Sequence, residues 1–168
     1  TPTGGDDISR RSFIAKSGFG LSAAALASHH AFAVDTAPKK VRIGVVGGGF
    51  GGSFYWHEHP DCEVVAVSDL REDRRKLLSE RFKCEKTYNS LEELVKAPDI
   101  DAVAIFTDGP LHVQHVVDAM SNGKHCISAV PAAYGTMEQA HTLADTVKKY
   151  GLTYMMAETG YFQQMTIS

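Results

Sequence analysis

The sequence of 168 residues has little of what marks several classes of protein. Its three cysteines, Cys62, Cys84 and Cys126, stand far apart and form no C-x-x-C pair, so neither a disulfide framework nor a zinc site is indicated. Its apolar, small-residue run over 17–27 is too short for a bilayer-spanning helix, which takes about 20 residues. Its net charge of -3 lacks the basic excess typical of nucleic-acid-binding proteins. We therefore expect no stable membrane span and no nucleic-acid partner.

Histidine is more frequent, and two pairs among the eight histidines have spacings compatible with metal ligands. These pairs are His57 with His59, and His112 with His115. No acidic or thiol ligand completes either set, so we expect no metal site. The first pair is predicted to end a helix and the second to share one helical face. The basic run over 71–76 is interrupted by acidic residues, and a solvated helix face explains it without a partner.

The first 33 residues are typical of a twin-arginine export signal. Ser9 to Phe13 read S-R-R-S-F, an apolar run follows, and Ala31 to Ala33 form an A-x-A cleavage site. This pattern predicts cleavage after Ala33, a linker over 34–40 and a protein that is periplasmic or otherwise exported. The alternative is an amphipathic first helix of the domain, but two glycines in the run and Pro38 beyond it favour a leader and linker.

Short apolar segments alternate with amphipathic ones through the rest of the chain. Buried strands are predicted at Val41–Val46, Glu63–Ser68, Asp101–Phe106, His125–Ser128 and Thr153–Ala157. Helices are predicted at Asp73–Phe82, after Ser90, at Pro110–Met120 and from Thr136 to Tyr150. The alternation indicates a parallel sheet with right-handed crossovers. We therefore predict an α/β fold, a doubly wound Rossmann domain over residues 41–160.

The loop after the first strand carries a glycine pattern typical of dinucleotide-binding turns. Gly47, Gly49 and Gly52 occupy the three marked positions of G-x-G-x-x-G, and Phe50 and Gly51 complete the loop. In this pattern Gly47 permits the tight turn, Gly49 lets the backbone approach a pyrophosphate, and Gly52 lets a following helix pack on the strand. The phosphates are expected on the N-terminal amides of that helix.

An acidic residue follows the second predicted strand, at the position where dinucleotide-binding sites have one. Asp69 comes about 20 residues after Gly49, at the end of the second predicted strand, where a carboxylate can accept hydrogen bonds from the adenosine ribose hydroxyls. A carboxylate there disfavours a 2′-phosphate, so NAD is the expected cofactor, while nearby arginines leave NADP open. The alternative for Asp69 is an acid at a helix N-terminus ahead of Arg71.

From Val41 to about Phe162 the chain resembles the N-terminal domain of Gfo/Idh/MocA oxidoreductases. The resemblance rests on the glycine loop and on three further segments, Ser68–Arg74, Thr107–His112 and Gly123–Pro131. It implies hydride transfer between NAD(P) and a sugar or polyol, with Thr107 and His112 at the cofactor. It also implies a second, larger α/β domain that covers the nicotinamide and in many members supports a subunit interface, so a homo-oligomer is expected for a full-length protein.

Two features depart from the family pattern. Family dehydrogenases usually have Glu-Lys-Pro where this chain has Ala129-Val130-Pro131, and Val130 has no group that could replace the lysine in proton transfer. The sequence also stops at Ser168, so we expect residues 161–168 to be only the start of the second domain and the rest of that domain to be missing here. Such a chain would bind cofactor without completing an active site, and a dinucleotide-binding protein without turnover is one alternative function.

The Val-Pro variant also resembles NAD-dependent glycoside hydrolases of the N-acetylgalactosaminidase type. Those enzymes share Val-Pro and an acidic residue after a Met-Met strand, as over 155–161 here, although Ala129 replaces the acidic residue that often precedes Val-Pro. They oxidise a sugar hydroxyl transiently, eliminate the aglycone, add water and return the hydride, so the cofactor is not consumed. A recycled NAD suits an exported enzyme, because such an enzyme cannot draw on cytoplasmic cofactor. The twin-arginine route carries folded proteins, so the cofactor can be bound before export.

Three residues are candidates for catalysis. Glu158 and Tyr161 follow the last predicted strand, at the carboxyl edge where ligands bind in such sheets. Their alternative role is interdomain hydrogen bonding or packing. His112 lies in the turn after a central strand, where it faces the nicotinamide or, alternatively, bonds to backbone at a helix start.

Overall fold

The computed structural model describes residues 40–162, with side chains as far as Gly160. The export signal predicted over 1–33 and almost all of the linker over 34–40 lie outside this range, as do residues 163–168 of the segment predicted to begin a second domain.

Six strands form one all-parallel sheet in the order β3-β2-β1-β4-β5-β6. They are β1 (Val41–Val46), β2 (Cys62–Ser68), β3 (Thr87–Tyr88), β4 (Ala102–Ile105), β5 (His125–Ala129) and β6 (Tyr154–Ala157). This order is that of a doubly wound dinucleotide-binding sheet, which confirms the predicted fold class. Strand β3 was not predicted, because two residues are too few to show the alternating period of a strand.

Four α-helices connect the strands: α1 (Glu72–Phe82), α2 (Leu91–Leu94), α3 (His112–Ser121) and α4 (Met137–Tyr150). Ser90 and Thr136 cap α2 and α4, since their hydroxyls accept hydrogen bonds from the backbone of residues three positions on. Gly151 ends α4 in the left-handed conformation. The helix predicted from Pro110 starts later, because residues Gly109–Leu111 form a 3₁₀ turn ahead of α3.

The sheet is covered on both faces. On one face Val103 and Ile105 of β4 pack against α3, through Val113, Val116 and Met120. On the other face the central strands pack against Leu78 and Phe82 of α1, together with Phe106 and residues of the β1–β2 connection. The carboxyl ends of β1, β2 and β4 therefore meet at one edge between two covered faces. No helix among residues 40–162 is long and apolar enough to cross a membrane.

The connection from β1 to β2 differs from the prediction. An α-helix was expected after Gly52, but residues 47–61 contain only two 3₁₀ turns, Gly51–Ser53 and Trp56–Glu58. The pair His57 and His59 therefore ends no α-helix. The physical reason is aromatic packing, which occupies the sheet face that a helix would cover.

The aromatic packing is centred on one ring. Phe54 stacks on Phe106 at 4.5 Å between ring centroids and on Trp56 at 5.2 Å, and Phe50 meets Phe54 edge-on at 5.2 Å. Offset-stacked and edge-to-face pairs at such separations are favourable beyond the area they bury. A cluster of rings thus replaces a helix above β1 and β4.

Candidate functional site

The glycine loop begins in a tight turn at the end of β1. Gly47 has a φ of 97°, and a Cβ on it would lie 2.1 Å from the backbone oxygen of Phe106. Its amide donates to the Ser68 oxygen at 2.9 Å, which joins the loop to the end of β2. No residue with a side chain fits this position, as the motif predicts.

The loop packs most closely on the sheet at Gly51, and not at Gly52 as expected. A Cβ on Gly51 would lie 3.0 Å from the ring of Phe106 and 3.1 Å from Val45. A Cβ on Gly52 would lie 3.8 Å from Leu78, which is an ordinary contact. The role expected of Gly52 is therefore wrong, because no α-helix follows it and the chain comes closest to the strand one residue earlier.

Asp69 lies directly beyond β2, beneath the glycine loop, and is 9% exposed. Its Oδ2 accepts a hydrogen bond from the Gly48 amide at 2.6 Å, and its Oδ1 accepts one from the Arg71 amide at 2.8 Å. The carboxylate thus joins the loop to the turn before α1. It does not cap the helix, whose N-cap position is Arg71 and carries no side-chain cap bond. Because a carboxylate offers about four acceptor positions, it keeps capacity for ribose hydroxyls.

A cavity of about 330 Å³ opens at this edge, between the ends of β1, β2 and β4. Such a volume is within the usual range for small-molecule sites. Of the residues predicted to bind cofactor, Gly47, Asp69 and Thr107 line it. The other lining residues include Ser68, Leu70, Arg71, Arg74, Ser90, Glu92, Asp108, Leu111 and His115. The cavity lies where the sheet order reverses, between β1 and β4, which is the binding position in open α/β sheets.

His115 is a cavity residue that the sequence did not reveal. Its Nδ1 lies 2.8 Å from the Thr107 hydroxyl, and the ring is 9% exposed. Burial lowers the pKa of His115 below its ordinary value, so the neutral imidazole is favoured. The one available signal was its position one helical turn from His112, which suggested only a metal pair.

The His112 ring is enclosed by backbone groups. It is 1% exposed, its Nδ1 lies 2.8 Å from the Pro131 oxygen and its Nε2 lies 2.9 Å from the Thr107 oxygen. It is not among the residues that line the cavity. This is the arrangement of a helix-start histidine bonded to backbone, and it ties the turn after β4 to the segment after β5.

Glu158 lies on the other side of the sheet edge, beside a second cavity. This cavity, of about 380 Å³, is apolar, and its lining includes Phe54, Trp56, Ile127 and Met155. Glu158 accepts a hydrogen bond from the Gly160 amide at 2.8 Å through its Oε1. Tyr161 falls in the 3₁₀ turn Thr159–Phe162, and its side chain lies outside the described part of the chain.

The remaining predicted cofactor residues of the glycine loop do not line the cavity. Gly49 lies under the side chain of Arg74, Phe50 is part of the aromatic cluster, and Gly51 and Gly52 form the 3₁₀ turn that follows. No group of three or more metal-ligating side chains occurs within residues 40–162.

A comparison with protein families identifies the family of this chain. The model of the Gfo/Idh/MocA oxidoreductase family, NAD-binding Rossmann fold, matches residues 41–158. The chain belongs to this family. It is therefore an NAD-binding Rossmann domain.

Curated relatives of this Gfo/Idh/MocA domain include dehydrogenases and glycoside hydrolases. A myo-inositol 2-dehydrogenase of Thermotoga maritima is 29% identical over 64% of this chain and 33% of its own length. A glycosyl hydrolase family 109 protein of Phocaeicola vulgatus is 36% identical over 66% of this chain and 22% of its own length. The chain thus spans about a third or less of the length of these relatives.

Solved structures show the same fold. A scyllo-inositol dehydrogenase from Lactobacillus casei, with bound NAD(H) and scyllo-inositol, superposes with a TM-score of 0.68 at 21% identity, covering 75% of this chain and 38% of that one. A 3-ketoreductase from Actinomadura kijaniata in complex with NADP and TDP-benzene superposes with a TM-score of 0.65 at 27% identity, covering 71% and 37%. Structural neighbours thus hold either NAD(H) or NADP.

The residues of this Gfo/Idh/MocA domain fit a dinucleotide. The turn at Gly47 leaves no room for a Cβ, which brings backbone amides to the surface where phosphates approach. Asp69 presents a carboxylate to the cavity, and Arg74 presents a cation beside the loop. The cavity therefore combines an acceptor for ribose hydroxyls with donors for phosphate.

Proposed function

We propose that this Gfo/Idh/MocA domain is the cofactor-binding part of an exported oxidoreductase that acts on a sugar or polyol by hydride transfer. The observation that carries the proposal is the cavity at the switch point of the sheet, where the Gly47 turn and the Asp69 carboxylate meet. Bound NAD would supply the hydride acceptor. The chain's own residues would bind and orient it: the turn at Gly47 would admit the phosphates and Asp69 would accept hydrogen bonds from the ribose. Thr107 and Leu111 line the same cavity.

The names of two relatives support the proposed substrate class. Myo-inositol 2-dehydrogenase and a D-glucoside 3-dehydrogenase of Escherichia coli are named for polyol and sugar hydroxyls, and each matches about two thirds of this chain. A secondary alcohol on a ring is the group that they share. We therefore extend this substrate class to the protein from which the chain comes.

A second candidate is an NAD-dependent glycoside hydrolase. Val130 follows β5 at the carboxyl edge and is 44% exposed, and it has no proton to give or accept. Glycosyl hydrolase family 109 proteins are also among the relatives, at 36% identity in Phocaeicola vulgatus and 32% in Porphyromonas gingivalis. In this reaction the sugar hydroxyl is oxidised and then reduced again, so no net NADH forms.

Cofactor binding is tested on the 168-residue chain itself. Isothermal titration calorimetry with NAD and NADP should show that the chain binds at least one of the two dinucleotides. We expect tighter binding of NAD, because the Asp69 carboxylate repels the 2′-phosphate of NADP. A folded chain that binds neither dinucleotide would contradict the cofactor assignment. A preference for NADP would contradict only the role given to Asp69.

The reaction is tested on the complete gene product. We expect inositols or glucosides to produce an absorbance increase at 340 nm in the presence of NAD. Release of nitrophenol from an aryl N-acetylgalactosaminide without net NADH would instead establish the hydrolase. If the protein binds NAD but shows neither the absorbance increase nor the release of nitrophenol, a binding protein without turnover would be favoured.

Export is the part of the proposal that rests on the leader alone. Replacing Arg10 and Arg11 together by lysine should retain the protein in the cytoplasm, because the paired arginines are the signal read by the twin-arginine route. Cell fractionation of the unchanged and the variant protein measures this. Equal export of both would show that another signal acts.

A further inference from the structure

The phosphates of a dinucleotide need positive compensation, and this domain lacks one usual source of it. In a Rossmann site the pyrophosphate lies at the N-terminus of the helix after the glycine loop, whose aligned peptide dipoles are equivalent to about half a positive charge. Here the loop runs into the 3₁₀ turn Gly51–Ser53, and Phe54 is already extended, with φ -95° and ψ 154°. So short a turn has little aligned dipole.

One arginine lies against the loop instead. The backbone of Arg74 packs on Gly48 so closely that a Cβ on Gly48 would lie 2.8 Å from the Cβ of Arg74 and 3.0 Å from its backbone oxygen. Its guanidinium extends over the next residue, with Nη1 3.5 Å from the position of a Cβ on Gly49. Arg74 also lines the cavity. Its side chain thus lies beside the part of the loop that the glycine motif assigns to the pyrophosphate.

The other arginines of this region each have a partner within the protein. Arg71 forms an ion pair with Asp73 at 2.6 Å, Arg75 donates to the backbone oxygen of Asp69 at 2.7 Å, and the guanidinium of Arg81 lies 4.9 Å from the centre of the Tyr55 ring. For the side chain of Arg74, the structure of residues 40–162 shows neither an ion pair nor a hydrogen bond. A half-buried cation at a cofactor cavity without a protein partner is suited to an anionic ligand.

We propose that Arg74 binds the pyrophosphate of the dinucleotide and supplies the positive charge that a helix N-terminus provides in other Rossmann sites. The proposal rests on cofactor binding at the glycine loop. A guanidinium donates two parallel hydrogen bonds to a phosphate, so it gives both charge and orientation. The ligand chemistry is a diphosphate ester, as distinct from the single phosphate ester at the 2′ position of NADP.

A ligand series tests this assignment on the whole 168-residue chain. Calorimetry is performed with NAD, ADP and adenosine on the unchanged chain and on Arg74→Gln. We expect Arg74→Gln to weaken NAD and ADP by about 10- to 100-fold, the size of a hydrogen-bonded charge contact. Adenosine, which has no phosphate, should change by less than about twofold.

Two control variants separate a local contact from other effects. Lys76→Gln removes the same charge from an exposed position of α1 that does not line the cavity, and it should leave NAD affinity unchanged. Arg74→Lys keeps the charge and should retain part of the affinity lost in Arg74→Gln. Added NaCl should weaken NAD binding to the unchanged chain more than binding to Arg74→Gln, because one screened contact is absent from the variant.

Several outcomes would overturn the proposal. Unchanged NAD affinity in Arg74→Gln, or an equal loss in Lys76→Gln, would remove the specific role of Arg74. An equal loss for adenosine and NAD would mean that the variant disturbs the cavity itself. A loss at least 10-fold greater for NADP than for NAD would assign Arg74 to the 2′-phosphate. If the unchanged chain bound no NAD, the cofactor site itself would be refuted along with this proposal.

Discussion

At the scale of single residues, two histidines three positions apart on α3 have different surroundings. His112 is enclosed between the backbone oxygens of Thr107 and Pro131, whereas His115 reaches the cavity and contacts the Thr107 hydroxyl. The sequence could show that both occur at the start of one helix. It could not show which one reaches the cavity, because that depends on contacts with Pro131, 19 residues further along the chain.

Replacing His112 tests its role as a link between two turns. His112→Phe keeps most of the ring volume but leaves the oxygens of Thr107 and Pro131 without their partner. We expect a loss of about 1–3 kcal/mol in the free energy of unfolding, measured with urea, because buried acceptors would be left unpaired. Normal stability with a selective loss of turnover in the complete enzyme would instead indicate direct catalysis.

The pH dependence of stability tests His115. Burial lowers its pKa in the folded chain, although Glu92 and Asp118 act in the opposite direction. Above the unfolded value of about 6.5 both states are neutral and this contribution to stability is complete. As the pH falls towards the folded pKa, only the unfolded state gains a proton, so stability is lost. Urea unfolding at pH 7.5 and 5.0 should show a larger decrease for the unchanged chain than for His115→Gln.

Alanine substitutions at two glycines with positive φ can distinguish the cost of backbone strain from the cost of a steric clash. Gly123→Ala places a Cβ in open space at φ 76°, and should cost about 1–2 kcal/mol, as for other left-handed residues. Gly47→Ala adds a Cβ at 2.1 Å from the Phe106 oxygen at φ 97°, and should be clearly more destabilising. Thermal unfolding of both variants measures the difference, and similar melting temperatures would contradict the steric role of Gly47.

At the scale of elements, local signals predicted the structure well. The caps at Ser90 and Thr136 depend on a residue three positions on, and both formed as the sequence indicated. The helix after Gly52 was expected by analogy with other glycine motifs. It did not form, because the aromatic side chains nearby pack on the sheet face that the helix would cover. Their partner, Phe106, lies beyond β4, so a window of sequence around the loop does not contain it.

The aromatic cluster can be tested by removing its central ring. Phe54→Ala removes stacking with Phe106 and Trp56, and should lower the free energy of unfolding by about 2–4 kcal/mol, since the ring is partly buried. Tyr55→Ala is the control, because Tyr55 is 62% exposed and should change stability by less than about 1 kcal/mol. Equal effects in urea unfolding would show that the cluster does not stabilise the connection.

At the scale of the whole molecule, the alternation of strands and helices was enough to predict a doubly wound parallel sheet. The Gly47 turn and the position of Asp69 were also predicted, because each residue directly follows a strand that shows in the sequence as an apolar run. Arg74 and His115 were missed, since nothing in their own residue types distinguishes a cavity lining from a solvated helix face.

The β6 edge of the sheet offers a test at the same scale. Met155 and Met156 are 53% and 40% exposed, and Met155 borders the second, apolar cavity with Ile127. Exposed apolar surface beside an edge strand promotes association. The 168-residue chain should therefore bind an apolar dye such as ANS, and Met155→Gln with Met156→Gln should reduce the fluorescence at unchanged melting temperature. Unchanged fluorescence would place the dye elsewhere.

The replacement of a helix by aromatic rings between β1 and β2 has a consequence for how this site can change over generations. A helix dipole comes from the backbone, so replacing one side chain does not remove it. A charge carried by the side chain of Arg74 can be removed, weakened or shifted by one mutation that leaves the sheet intact. Lineages with this short connection should therefore vary more widely in cofactor affinity than lineages that keep the helix.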